Sequence, residues 1–203
     1  MNYLAHIYLS GDSDELIIGN FIGDYVKGQQ FLNYPSEVAK GIVLHRKIDS
    51  FTDSHPCISE CILKLRPVYG KYAGIVVDIF LDHFLALNWE SYSKEELPEF
   101  ADRFHALLWA NFFQLPSQVK VMVPFLVRNK RLESYATIDG VEKTLVVMAK
   151  HTSLPALADL GIKVLEEEYQ FFNGMFNRFF PQLIEYVEQV GELKITRPVS
   201  VIY

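Results

Sequence analysis

The chain has 203 residues, 50% of them hydrophobic and 22% charged, which excludes a disordered segment and suffices for one sizeable core. A formal net charge of −6 at pH 7 argues against a general nucleic-acid binder, which needs a basic surface to replace phosphate counterions. The two cysteines, Cys57 and Cys61, are spaced four apart without forming a metal knuckle and read as buried thiols.

Helical periodicity dominates, and no segment alternates with period two between tight turns, so the expected fold is all-α, a single-domain helical bundle over residues 1–203. The opening Met1-Asn2-Tyr3-Leu4-Ala5-His6 lacks the positive flank and apolar run of a signal peptide, so a cytoplasmic protein is expected. Ser13 suits the cap of a helix to about Lys27, with Leu16, Asn20 and Asp24 on one stripe and Gly28 as its stop. A second helix is expected from Ser36, after Pro35, to near His55, where Pro56 follows. Val38, Ile42, His45, Asp49 and Thr52 or Asp53 form its stripe. Residues 56–67 read as a short connection. From about Gly70 to Trp89 the chain is apolar nearly all round, as the central helix of a bundle is. Asp78, Asp82 and His83 are its only ionisable residues after Tyr72, and such charges are too costly at mid-bilayer for a membrane span.

The second half reads as scaffold. Ser93 with Glu96 forms a capping-box pattern for a helix burying Phe100, Phe104, Leu107 and Leu108. Pro116 and Ser117 open another helix, and Asp139 with Glu142 marks a further start. From residue 155 to 189, Leu165, Tyr169, Phe172 and Phe176 recur at helical spacing, with Pro181 as a kink or break. The last ten residues are too apolar for a free tail and are expected to pack as an extended strap.

Four of the six histidines and a dense set of aspartates lie between His6 and His83. His45, Asp49 and Asp53 are spaced by four and stack along one helix face; Asp78 and Asp82 repeat the spacing. Adjacent Asp82 and His83 diverge by about 100° but can still embrace a metal between them. A cap, a hydrogen bond or a core ion pair explains any one of these residues. Three segments that each interrupt an apolar face with acid or imidazole are better explained by one site. Gathered carboxylates need a balancing cation, and Asp and His without thiolate suit Mn²⁺, Mg²⁺, Fe or Zn²⁺, the oxygen-rich set leaning toward the harder ions. Arg46 and Lys47, next to His45, have the chemistry to hold a phosphate.

Four runs carry a resemblance: Met1 to His6, Gly19-Asn20-Phe21-Ile22-Gly23-Asp24, Gly41 to Pro56 with its His45-Arg46-Lys47-Ile48-Asp49 centre, and Asp78-Ile79-Phe80-Leu81-Asp82-His83-Phe84-Leu85. In order and over residues 1 to about 90 they resemble the acyl carrier protein phosphodiesterase family. The resemblance implies a Mn²⁺-dependent bacterial hydrolase that removes the 4′-phosphopantetheine arm from holo-acyl carrier protein, on a divergent, HD-domain-like helical fold. Asp82-His83 reverses the His-Asp order of the standard HD pattern. By the same resemblance Asp24, His45, Asp49 and Asp82 are the leading metal ligands. His6, Asp53, His55, Asp78 and His83 form a second rank of proton donors, orienters or further ligands. Residues 1–90 then carry the catalytic segments and 91–203 are mainly scaffold. In this chemistry the metal acidifies a water that attacks phosphorus, Arg46 shares the growing phosphoryl charge, and His55 is the first candidate to protonate the departing serine oxygen. Two readings stand beside it: an HD-type hydrolase of a small phosphate ester or nucleotide, and a non-catalytic helical protein that binds a carrier protein. Acyl carrier proteins are acidic as a class, so a chain of net charge −6 needs a local positive patch to dock one. Lys27, Arg46, Lys47, Lys64, Arg66 and Lys71 flank the catalytic segments and are expected to supply it, with Arg128, Lys130 and Arg131 as a second cluster.

Overall fold

A short first helix, α1 (Tyr3–Tyr8), precedes the elements expected from periodicity. Six residues cannot hold a helix by their own hydrogen bonds. Burial of Leu4, Ala5, His6, Ile7 and Tyr8 holds it instead, together with caps from the Asn2 side chain and from Asp82 on the central helix. The structure, a computed structural model, describes residues 2–198, and no strand occurs among them.

Helix α2 (Asp14–Phe21) starts as expected, with the Ser13 hydroxyl accepting the Leu16 amide, but ends well before Lys27. The chain tightens there into a 3-10 turn at Gly23–Tyr25, in which Gly23 lies directly against the His45 side chain. Helix α3 (Ser36–Ser54) follows Pro35 as expected. Its crossing with α2 brings backbone onto backbone. A Cβ on Gly19 would sit 2.1 Å from the Val38 carbonyl oxygen, and one on Gly41 would sit 2.5 Å from that of Leu16. Only paired glycines permit this approach, and it carries the inner face of α3 up to α1.

Residues 56–67 are not a connection but most of helix α4 (Pro56–Tyr69). Pro56 occupies its first turn, where the missing N–H would have had no partner, and Pro67 falls in its last turn. Cys57 and Cys61 are free and buried, and burial pushes the Cys61 thiol up to about 12. Helix α5 (Ala73–Leu87) is the buried centre, reached through a 3-10 turn at Gly70–Tyr72.

After the single turn α6 (Trp89–Tyr92) comes α7 (Leu97–Ala110), which buries Phe100, Phe104 and Leu108, with Leu107 half-buried. The expected capping box does not form. The Ser93 hydroxyl accepts the Glu95 amide instead, and the helix begins beyond Glu96 with Pro98 in its first turn. Helix α8 (Ser117–Arg128) and the short α9 (Arg131–Ser134) precede α10 (Ile138–His151), whose cap is Thr137; Asp139 sits in the first turn and pairs with Lys143. The stretch expected from residue 155 divides at Glu168 into α11 (Ala158–Glu167) and α12 (Tyr169–Gly191). Pro181 does not break α12, because Phe179, Phe180, Leu183 and Ile184 on both sides of it are buried in the core.

Beyond α12 the described part of the expected strap has no regular secondary structure but packs back on the helix. Ile195 is buried, its amide donates to Glu188 at 2.9 Å, and Arg197 pairs with the same carboxylate at 3.0 Å. Residues 199–203 of that strap lie outside the described residues. Among the described residues no helix is long and apolar enough to cross a membrane.

Candidate metal centre

Where α1 meets the α2–α3 crossing, ligand atoms of His6, His45 and Asp49 all lie within 4.8 Å of one another. The Asp49 carboxylate bridges the two rings, 3.2 Å from His6 Nε2 and 3.1 Å from His45 Nε2. His45 Nε2 also lies 3.3 Å from Asp24, carried on the 3-10 turn. The imidazoles stack at 4.1 Å between centroids. Gly23 makes room for the stack, since a Cβ there would fall 2.3 Å from His45 Cγ.

The protonation of His6 follows from its neighbours. Asn20 donates its amide hydrogens to the His6 carbonyl and the Ser10 hydroxyl, each at 2.9 Å, so its Oδ1 can only accept, and His6 Nδ1–H donates to it at 2.7 Å. Burial holds the ring neutral, lowering its pKa to about 4. Nε2 is therefore a buried lone pair with no hydrogen-bond partner, facing a carboxylate oxygen. Two electron-rich atoms opposed in this way are stabilised by a cation between them.

His45 answers the same charge differently. Burial would lower its pKa, yet hydrogen bonds to Asp24 and Asp49 raise it to about 9. Asp49 stays ionised well below the usual carboxylate range: burial opposes this, and the hydrogen bond from the His45 ring overcomes it. The proton on His45 supplies the positive charge the cluster needs when no metal is bound. Side-chain exposure also grades across the site, from 4% and 6% for the imidazoles to 37% for Asp49 and 67% for Asp24. Nitrogen donors form a buried base and carboxylates an open rim. Closed structural sites surround their ion, whereas catalytic ones leave a position for water and substrate.

The remaining residues singled out in the sequence do not join this group of ligand atoms, although Asp78 lies close enough to feel the charges of Asp49 and Asp53, and burial raises its pKa. Asp82 is fully buried, and its two oxygens accept the Leu4 and Ala5 amides at 2.9 and 3.1 Å, so it holds the helix that carries His6. His83 spans from the Tyr135 carbonyl at 2.7 Å to the Tyr169 hydroxyl at 3.0 Å, tying α5 to α9 and α12. Asp78 is half-buried on α5, one turn before Asp82. Asp53 is exposed near the end of α3. His55 caps α4 by accepting the Cys57 amide and packs against Phe51 and Phe179. It lies ten residues beyond His45, roughly 15 Å at helical rise. Lys47 donates to the Val190 carbonyl at the end of α12. Arg46 donates to the Val26 carbonyl and lies over the Phe31 ring, beside the turn that carries Asp24. The residue that sequence reasoning missed is Asn20; its signal was a polar side chain on an otherwise apolar stripe, one turn before Asp24.

Comparison with known proteins matches residues 1–183 to the family described as acyl carrier protein phosphodiesterase. A protein of that name from Photorhabdus laumondii is 32% identical over 190 residues, covering 93% of this chain and 96% of the relative. Relatives of the same name from Enterobacter sp. (strain 638) and Yersinia pestis are 32% and 30% identical, each over 91% of this chain and 96% of its own length. No solved structure matches. The chain belongs to the acyl carrier protein phosphodiesterase family.

Proposed function

We propose that this chain is a divalent-cation-dependent phosphodiester hydrolase of the cytoplasm, on a divergent HD-type scaffold, that releases 4′-phosphopantetheine from holo-acyl carrier protein and leaves the apo form. The observation that carries the metal is the orphaned His6 Nε2 lone pair facing Asp49. The observation that carries the reaction is the name shared by relatives that this chain matches over most of its length. Mn²⁺ is the first ion to test, ahead of Mg²⁺, Fe and Zn²⁺.

His6, His45 and Asp49 would hold the ion, with Asp24 completing the rim. A cation bound there supplies Lewis-acid stabilisation of the phosphoryl oxygens and acidity to a water. Asn20 fixes the His6 tautomer so that Nε2 presents its lone pair, and Asp82 fixes the helix that carries the ring. Arg46 spends one donor on Val26 and keeps others for phosphate oxygens on the Asp24 side.

The test is intact-mass measurement of holo-acyl carrier protein after incubation with the enzyme and Mn²⁺, with an EDTA control. The expected result is conversion to the apo mass with Mn²⁺ alone. An unchanged holo mass at every ion tried would reject the assignment.

A further inference from the structure

Helix α8 and the turn before it present an apolar and basic face to solvent. Phe113 is 89% exposed, Val121 82% and Phe125 40%, although Val119, Val123 and Leu126 on the opposite side of α8 are buried. Large apolar side chains exposed together on one helix face mark an interaction surface more often than chance. Charge is equally uneven: residues 111–131 contain Lys120, Arg128, Lys130 and the buried Arg131 and no aspartate or glutamate, in a chain of net charge −6. Arg128 and Lys130 are exposed at the end of α8.

The face adjoins the metal centre. Met122, one turn from Phe125 on α8, receives the Tyr3 hydroxyl at 3.3 Å and the Tyr25 hydroxyl at 3.6 Å. Tyr25 follows Asp24 in the chain, and Tyr3 begins the helix that carries His6. On the alternative basic surface Lys64 is already engaged, pairing with Glu168 at 2.8 Å and lying over the Phe171 ring.

We infer that the exposed face of α8, with Val121 and Phe125 framed by Arg128 and Lys130, is the docking surface for the acidic, partly apolar surface of a carrier protein whose phosphodiester is presented to the His6–His45–Asp49 centre. This rests on the function proposed above. Apolar contacts supply the buried core of such an interface, and the cations offset the repulsion between two net-negative proteins.

The test uses two full-length variants, Phe125→Ser and the double charge reversal Arg128→Glu with Lys130→Glu, each checked for unchanged helix content. Three quantities are measured: affinity for holo-acyl carrier protein with EDTA present, KM for that protein with Mn²⁺, and turnover of bis(p-nitrophenyl) phosphate. The expected result is at least a tenfold loss of affinity and a matching rise in KM, with the small diester turned over as by the wild type. Loss of carrier binding on mutation, in an enzyme that never hydrolyses the carrier, would sink the hydrolase assignment and leave the docking surface standing. Carrier affinity unchanged within twofold in both variants overturns the inference, as does a wild-type protein that binds no carrier. A wild-type dimer that the variants dissociate without weakening carrier binding also overturns it, assigning the face to a second copy of the chain.

Discussion

Gly23→Ala tests how far the geometry of the centre depends on the close approach of Gly23 to His45. The added Cβ would lie 2.3 Å from His45 Cγ and 2.6 Å from Cδ2, where ordinary carbon contacts are about 3.5 to 4.0 Å. His45 Cβ lies only 2.5 Å away as well, so the whole side chain retreats by roughly 1 Å and its segment of α3 moves with it, whereas ligand distances tolerate only about 0.2 Å. Displacements of that size cost on the order of 100-fold in activity. The backbone itself accepts alanine, because Gly23 is not among the positive-φ glycines. Overpacking costs about 1 to 3 kcal/mol, partly offset by about 0.4 to 1 kcal/mol from a stiffer unfolded chain. Mn²⁺ affinity should thus fall at least tenfold by calorimetric titration, while the metal-free Tm falls by no more than about 10 °C and helix content is kept. Gly28→Ala is the control. Its φ of +54° makes alanine strained, nothing lies within 4 Å of the new Cβ, and it should lower Tm without touching metal affinity. A Gly23→Ala protein that binds Mn²⁺ as tightly as the wild type would refute the reasoning.

Removing the acceptor in Asn20→Ala frees the His6 tautomer and should weaken Mn²⁺ binding about 10- to 100-fold, read by the same titration. Asp82→Asn keeps one acceptor for the α1 amides and loses the other; it should destabilise the fold by about 1 to 3 kcal/mol in urea melts and retain stoichiometric metal, whereas loss of metal with an intact fold would make Asp82 a ligand. In the metal-free protein His6 takes up a proton only in the unfolded chain between pH 6.5 and its folded value of about 4, so its contribution falls as pH falls, while Asp82, pushed up to about 7 by burial, contributes with the opposite sign over the same window. Above pH 6.5, His45 stays protonated only in the folded chain, up to about 9, so its contribution is lost as pH rises through that value; Tm should fall from pH 7 to 10, and less so in His45→Gln. For the same reason Mn²⁺ binding at pH 7 should release a proton from His45, detectable as a buffer-dependent binding enthalpy.

The all-α class and half of the centre were legible in the sequence, because long helices write their contacts as periodicity. The spacing of His45 and Asp49 on α3 placed both on one face before any tertiary contact was known. His6 stood in the second rank because α1 has six residues, too few to show a period, and its role depends on Asn20 and Asp82 from distant segments. Asp82-His83 carried the same signature as His45 and Asp49, ionisable groups on an apolar face. Burial demands a partner for such groups without saying which, and here the partners are backbone amides for Asp82 and a carbonyl and a phenol for His83. Helix α4 was obscured by its two prolines, which read as punctuation although one lies in the first turn and the other in the last. The glycines of the second run were visible in the sequence, but that Gly19 faces Gly41 and Gly23 faces His45 is a fact of packing alone.

The central claim is that His6, His45 and Asp49 hold the catalytic cation, and anomalous scattering at the manganese edge from crystals grown with Mn²⁺ tests it most directly. The account predicts one strong peak at roughly 2.0 to 2.3 Å from His6 Nε2, His45 Nε2 and an Asp49 oxygen, with water in the remaining positions. A peak ligated by Asp82 or Asp53, or none at saturating Mn²⁺ with the two rings still 4.1 Å apart, would contradict it.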